Sequence, residues 1–259
     1  MEITFLGSGS AFVQTEENFQ SNILIEDKEM SLLIDAGSTI QEALKYSHKK
    51  LKDIDAIYIT HLHGDHVHGL EYVGFSTYFS GQKKKTLIGE ASIIFKLWEN
   101  ILSGTMGNIN GKKMNIHDYF NIITHKKNSP FVKNGVSFFP KRVYHVISEN
   151  RDDIPANSLY FSTNENNIFI SGDSQFQPKK LKKFYEQATI IFNEVEFADY
   201  PGSVHTQFKQ LNTLDDSIKE KMYLYHYSLN GHCFNDMDKI VKENGFAGLI
   251  KRGQKFSFC

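Results

Sequence analysis

Cysteine is nearly absent from this chain, with 2 residues, Cys233 and Cys259. Two thiols cannot build a disulfide framework, and a reducing cytoplasm is the expected setting. Proline is also scarce, at 5, and no stretch is of low complexity, so long disorder is not expected. No run of about 18 apolar residues occurs, so no membrane span is expected. Residues 1–7 lack a basic segment followed by an apolar one, and no secretion signal is expected. Net charge is missing too. Lys plus Arg is 29 against 30 for Asp plus Glu, a formal charge of -1, which gives no global pull towards nucleic acid. The basic runs at 83–85, 112–113 and 126–127 read as solvated faces. What the chain does have is 40% apolar residues over 259 positions, enough for a substantial core. With no linker and no internal repeat, it reads as a single domain over 1–259.

Short apolar runs alternate with turns. Strands are expected over 3–6, 23–25, 31–34 and 54–60, the last rich in β-branched residues. Further strands are expected over 135–139, 142–146, 159–162, 168–171, 189–192 and 222–225. A helix should follow Gly37, with Ser38 as its N-cap and Ile40, Ala43 and Leu44 inward. Another is expected over 91–102, where Ile94, Phe95, Trp98, Ile101 and Leu102 would share a face. Helices are also expected over 179–187 and 236–242. Residues 103–117, with Gly104, Gly107 and Gly111, read as a loop or lid. Two runs of strands followed by helices suggest sheets packed together with helices outside.

The chemical signal is Thr60-His61-Leu62-His63-Gly64-Asp65-His66, directly after an apolar strand. Alternate residues at a strand end point the same way, so His61 and His63 can converge on one ion. Gly64 then turns the chain into a helix start that sends Asp65 and His66 towards a second ion. Imidazole and carboxylate suit zinc, and also manganese or iron. Four donors do not fill two sites. His145, Asp173 and His226 stand at other strand ends, where loops gather at one sheet edge. Each alone reads more readily as a core histidine or a turn aspartate; together with the first motif they read as ligands.

This pattern resembles the metallo-β-lactamase superfamily over nearly the whole chain. The resemblance implies an αββα sandwich holding two Zn2+ per chain, with Mn2+ also suitable. It implies one ion at His61, His63 and His145, a second at Asp65, His66 and His226, and Asp173 bridging. Asp35, in Leu33-Ile34-Asp35-Ala36-Gly37, matches an early aspartate that supports the ligands rather than binding metal. Bound metal lowers the pKa of water and neutralises charge on the attacked group, and Asp65 would orient the attacking water.

Two further stretches narrow the branch. Phe192-Asn193-Glu194-Val195-Glu196-Phe197 and Ser203-Val204-His205-Thr206 resemble segments of ribonuclease Z that carry a Glu–His pair for the leaving oxygen. Here that pair is Glu194 and His205. The chain departs from the family pattern at Asn193, where a histidine is usual, and it does not retain the serine of the family's His-Ser-Thr stretch, since Thr206 follows His205 directly. The start Phe5-Leu6-Gly7-Ser8-Gly9-Ser10 also resembles that branch. Its glycines would let backbone amides approach a phosphate, or simply make a tight turn. Transfer-RNA processing enzymes insert a long clamping arm between the positions matching His145 and Asp173. Only 27 residues separate these two here, too few for an arm beside two strands.

The chain is therefore similar to the anti-Pycsar phosphodiesterases, which cleave 3′,5′-cyclic mononucleotides used as immune signals. That resemblance implies a two-metal phosphodiesterase of the cytoplasm, with a small nucleotide substrate, no stable nucleic-acid partner and a homodimeric assembly. The dimer contact would use the aromatic set Leu70, Tyr72, Phe75, Tyr78 and Phe79, with residues 103–117 covering the neighbour's cleft. An RNA-processing ribonuclease Z-like endonuclease, or another hydrolase of this fold, is the alternative. A non-catalytic metal protein is the third reading.

Overall fold

All four side chains of the strand Ala56–Ile59 are buried, because its two sides enter different apolar layers. Ala56 and Tyr58 face one layer, while Ile57 and Ile59 face another. The same alternation separates Ile23 and Ile25 from Leu24. A strand buried on both faces reads as a continuous apolar run, which is why the period-2 signal is weak here. The computed structural model describes residues 1–13, 16–147 and 154–258.

Among the described residues there are two seven-stranded sheets. The first runs Lys255–Ser257, Glu2–Gly7, Asn22–Asp27, Met30–Ile34, Ala56–Ile59, Lys85–Glu90 and Phe120–His125. The second runs Gly248–Leu249, Met222–Tyr225, Ile190–Glu194, Asn167–Ile170, Ile154–Ser162, Val136–Val146 and Phe131–Lys133. The central layer joins Ile3, Phe5, Ile34 and Tyr58 of the first sheet to Phe138, Phe161, Ile170 and Phe192 of the second. Helices Ile40–Tyr46, Leu70–Ser80 and Ala91–Leu97 cover the outer face of the first sheet. Helices Pro178–Gln187 and Phe234–Glu243 cover that of the second. The architecture is the αββα sandwich of the metallo-β-lactamase fold. No helix among the described residues is long and apolar enough to cross a membrane. Cys233 is exposed and unpaired, and Cys259 lies outside the described residues.

Several expectations are corrected. Ser38 is not a cap: Ile40–Tyr46 has Thr39 at its N-cap with no side-chain cap bond, and the Ser38 hydroxyl donates to Gln20 Oε1 at 3.1 Å. The helix over 91–102 is α-helical only to Leu97 and continues as a π-turn, Trp98–Leu102. Within the α-helical part Ile93, Ile94 and Leu97 share the buried face, and Phe95 points away from it, 67% exposed. Residues 103–117 are not a plain loop. They hold the helical turns Ser103–Met106 and Ile116–Tyr119 and a two-stranded ribbon, Asn108–Ile109 with Lys112–Lys113. Met106, Met114 and Ile116 anchor them in the core. The two strands expected over 135–139 and 142–146 are one strand, Val136–Val146, running through Pro140. Its neighbour Phe131–Lys133 pairs only as far as Phe138, so Pro140 sits where one side of the strand is free and a missing N–H is tolerated.

Candidate metal centre

The parallel strands at the middle of both sheets end at the same edge. Asp35 follows Met30–Ile34, His61 follows Ala56–Ile59, Asp173 follows Asn167–Ile170, and His226 follows Met222–Tyr225. Strand carboxyl ends of this kind are where α/β sheets place ligand groups. His145 lies on Val136–Val146 where the register with Ile154–Ser162 shifts between Val143 and Val146, an irregularity that re-aims a side chain. Gly172, with φ 58°, carries the turn to Asp173; a Cβ there would meet the Asn157 carbonyl oxygen at 2.7 Å. Gly37 lets the 35–37 turn lie against the 64–67 helical turn, since a Cβ would stand 2.0 Å from the Asp65 carbonyl oxygen.

Two donor groups result. His61, His63, His145 and Asp173 form one; Asp65, His66, Asp173 and His226 form the other. Within each, the donor atoms all lie within 4.8 Å of one another, and Asp173 belongs to both. His63 Nδ1 and His145 Nε2 are 3.0 Å apart. Asp173 Oδ2 stands 3.7 Å from His61 Nε2, 3.2 Å from His66 Nε2 and 3.3 Å from His226 Nε2. Asp65 Oδ2 is 3.2 Å from His226 Nε2 and 3.3 Å from His66 Nε2.

A cation fits these residues. His61 Nε2, His66 Nε2 and both Asp173 carboxylate oxygens are buried without a hydrogen-bond partner, at a cost a metal bond would remove. Burial holds the His61 and His145 imidazoles below their ordinary pKa, and it lowers His63 to about 4. These rings are thus neutral, the form that binds metal. Burial opposes charging Asp65 and Asp173, yet nearby imidazoles outweigh it and hold both well below the usual carboxylate range. Burial likewise opposes charging His66, but Asp173 and Asp35 override it and raise that ring. Two buried carboxylates demand positive charge, which a divalent ion supplies better than a proton.

The far nitrogens of three rings are also held. Asp35 Oδ2 accepts from His66 Nδ1 at 2.7 Å and from the Thr60 hydroxyl at 2.6 Å, while Asp35 Oδ1 accepts from the Thr60 amide at 2.8 Å. The Thr60 hydroxyl oxygen lies 3.0 Å from His61 Nδ1, and the Val204 carbonyl lies 2.9 Å from His145 Nδ1. These contacts fix each tautomer so that Nε2 faces the centre. Asp35 is therefore a supporting residue in this geometry. Asp35 and His226 both adopt left-handed backbone, at φ 62° and 58°. Such conformations persist in non-glycine residues when their surroundings hold them.

Glu194 and His205 also meet here. His205 Nδ1 is 3.1 Å from Glu194 Oε2, and the other carboxylate oxygen accepts from the Thr206 and Ser174 amides at 2.7 and 3.2 Å. Glu194 is fully buried. Burial disfavours a charged His205, but the Glu194 carboxylate outweighs it and the imidazole is pushed up to about 9. Its ring lies 5.0 Å from the His145 ring and 5.1 Å from that of His226, against the donor groups. Asn193, the departure from the family pattern, accepts from the Tyr185 hydroxyl at 2.9 Å beneath this pair.

The N-terminal glycine stretch does not offer its amides to a phosphate. Ser8 N–H donates to Asn18 Oδ1, Gly9 N–H to the Phe19 carbonyl and Ser10 N–H to the Tyr227 carbonyl. It is a structural turn. Sequence reasoning passed over Thr60, whose position before His61 was the available signal. It also passed over Glu90 and Arg142. Arg142 bonds Glu90 through its guanidinium, bridging the two sheets near this edge.

The family described as Anti-Pycsar protein Apyc1 matches residues 1–256. An Anti-Pycsar protein Apyc1 from Paenibacillus sp. (strain J14) is 32% identical over 260 residues, 99% of each chain. Among solved structures, the metallo-β-lactamase fold protein YhfI from Bacillus subtilis superposes with a TM-score of 0.74 at 17% identity, over 99% of each chain. The short form of human tRNase Z superposes at 0.70 and 18%, again over 99% of each. These two show the common fold. With the family matched over residues 1–256 and 32% identity to a member over 99% of each chain, this chain belongs to the Anti-Pycsar Apyc1 family of the metallo-β-lactamase fold.

Proposed function

We propose that this chain is a metal-dependent phosphodiesterase acting on small phosphodiesters, with 3′,5′-cyclic mononucleotides as substrates and evasion of cyclic-nucleotide immunity as its role. The carrying observation is the pair of donor groups sharing Asp173, with Glu194–His205 set against them. Two Zn2+ per chain, or Mn2+, would be held by His61, His63, His145 and Asp173 on one side and Asp65, His66, His226 and Asp173 on the other. Bound there, the metal supplies an activated water and neutralises charge on the phosphoryl oxygens. Asp65 orients the attacking water. His205, oriented and kept protonated by Glu194, delivers a proton to the leaving oxygen. The names of the relatives support this reading. So does the short path from His145 to Asp173, much of it occupied by the strands Ile154–Ser162 and Asn167–Ile170, which leaves no room for an RNA-gripping arm. We take the chain as one domain working in the cytoplasm as a homodimer. Of the set expected at that contact, Phe79 is 68% exposed and Tyr78 is 37% exposed, whereas Leu70 is buried in the core with Tyr72 and Phe75 packed against it.

The test is turnover of the four cyclic mononucleotides, bis-p-nitrophenyl phosphate and precursor transfer RNA by metal-loaded protein. Cyclic nucleotides should be hydrolysed and precursor transfer RNA left intact; the reverse result refutes the proposal. In Asp173→Ala, elemental analysis should find clearly fewer than two ions per chain, and full occupancy would refute the shared-carboxylate role.

A further inference from the structure

The carboxylate beside His205 is pinned from several sides. Glu194 Oε1 accepts from the Thr206 and Ser174 amides at 2.7 and 3.2 Å, which leaves Oε2 to face His205 Nδ1 at 3.1 Å. Two buried hydroxyls then tie together the segments that carry these groups. The Thr206 hydroxyl donates to the Ser174 carbonyl at 2.8 Å, joining residues 203–207 to the turn after Asp173. The Ser171 hydroxyl accepts from the Glu194 amide at 2.9 Å and donates to the Gly172 carbonyl at 2.7 Å, joining the end of Ile190–Glu194 to the turn before Asp173. Ser171 is fully buried and Thr206 is 2% exposed, so solvent cannot stand in for either hydroxyl. Neither belongs to the metal-donor groups. His205 Nδ1 is 3.9 Å from Asp173 Oδ2, so the placement of the imidazole against the metal centre depends on the register between these segments. A backbone bond from the Glu196 amide to the Thr206 carbonyl, at 2.9 Å, holds 194–196 to 203–207. The two hydroxyls add the link to the Asp173 turn.

We propose that Thr206 and Ser171 are positioning residues for proton delivery: their hydroxyls lock Glu194 and His205 to the turn that carries Asp173. This role rests on His205 acting as the acid, as proposed above. With Nδ1–H held by Glu194, His205 presents Nε2–H, and that proton passes to the leaving oxygen as its bond to phosphorus breaks. Neither hydroxyl meets substrate; each acts through where it sets the Glu194–His205 pair. A donor displaced by about 1 Å can lose about 10²-fold in rate, so two hydrogen bonds remote from the reacting atoms suffice to govern the step.

Thr206→Val keeps the side-chain shape and removes the hydroxyl, Thr206→Ser restores it, and Ser171→Ala removes the second tie. In zinc-loaded protein, kcat for a cyclic mononucleotide should fall about 10–100-fold in Thr206→Val and in Ser171→Ala, with KM little changed, and should recover in Thr206→Ser. The loss should be smaller on bis-p-nitrophenyl phosphate, whose leaving group needs no proton. Thr206→Val added to His205→Ala should cost nothing further, because residues that act through one group are not additive. A second readout needs no turnover. The low-field proton NMR resonance of the His205 Nδ1–H bond to Glu194, identified by its loss in His205→Ala, should vanish in Thr206→Val and persist in Thr206→Ser. Ser171→Ala carries the same test if Thr206→Val does not fold. A parent that hydrolyses bis-p-nitrophenyl phosphate but no cyclic nucleotide would refute the substrate proposed above and leave the resonance to decide this role. Three results would overturn it: the resonance intact in both Thr206→Val and Ser171→Ala, equal losses on the two substrates, or the same loss from Thr206→Val with and without His205.

Discussion

Asp35 touches no substrate, yet replacing it should disturb both donor groups at once. It accepts three hydrogen bonds, from His66 Nδ1, the Thr60 hydroxyl and the Thr60 amide. The Thr60 hydroxyl in turn faces His61 Nδ1 at 3.0 Å, so one carboxylate sets the tautomer of a histidine in each group. Asp35→Ala takes the acceptor from the buried Thr60 amide and the His66 N–H, at about 1–3 kcal/mol each. Alanine at φ 62° adds about 1 kcal/mol of left-handed strain. The folded state should therefore lose about 3–7 kcal/mol. Asp35→Asn tolerates the backbone and keeps a carbonyl for the Thr60 amide, but it sets an N–H against another donor. That variant should fold, with metal affinity reduced by about 10–100-fold. A hundredfold weaker Kd removes about 2.7 kcal/mol of metal-linked stability per site in excess metal. The assay is competition for metal against a chromophoric chelator, with denaturant unfolding of the stripped and loaded proteins. Wild-type affinity for both ions in Asp35→Asn would refute the reasoning, because the hydrogen bonds would then be bystanders to ligand orientation.

His205→Ala should lower hydrolysis of a cyclic nucleotide by about 10²–10⁴-fold and leave metal content unchanged. The loss should shrink for bis-p-nitrophenyl phosphate, whose leaving group needs no proton; an equal loss on both substrates would mean that His205 binds substrate instead. Glu90 supports a separate prediction about acid stability. Burial raises its carboxyl, but hydrogen bonds from Arg142 and Ser92 outweigh that and hold it below the usual range. A depressed carboxylate stabilises the fold above its unfolded pKa of about 4.3, and that contribution is lost as pH falls through the lower folded value. Glu90→Gln should cost about 3 kcal/mol at neutral pH, since it strands the Arg142 charge, and should flatten the decline in stability below about pH 4. An unchanged acid limb in denaturant unfolding would refute the assignment.

The sequence determined the fold class by itself, and the reasons are local. Runs such as 54–60 and 168–171 are apolar and β-branched, which favours strands, and strands form there at Ala56–Ile59 and Asn167–Ile170. Three histidines and an aspartate within 61–66 mark a donor cluster at a strand end before any contact is known. Where the local signal was weak, the reading failed. Lys85–Glu90 was missed because it begins inside a lysine run, and Phe120–His125 because it is an edge strand with exposed positions. Residues 103–117 looked like a loop because their glycines are visible in sequence, while the burial of Met106 and Met114 is not. The strand Val136–Val146 was read as two pieces, 135–139 and 142–146, because the tolerance of Pro140 depends on where a neighbouring strand stops. The meeting of His145, Asp173 and His226 with the 61–66 donors was decided only by tertiary structure, since sheet register and the bulge near His145 bring together residues up to 165 positions apart. The same holds for Asp35 beneath His66 and for Glu194 beneath His205. Such contacts arise from how two sheets stack, which no spacing along the chain records.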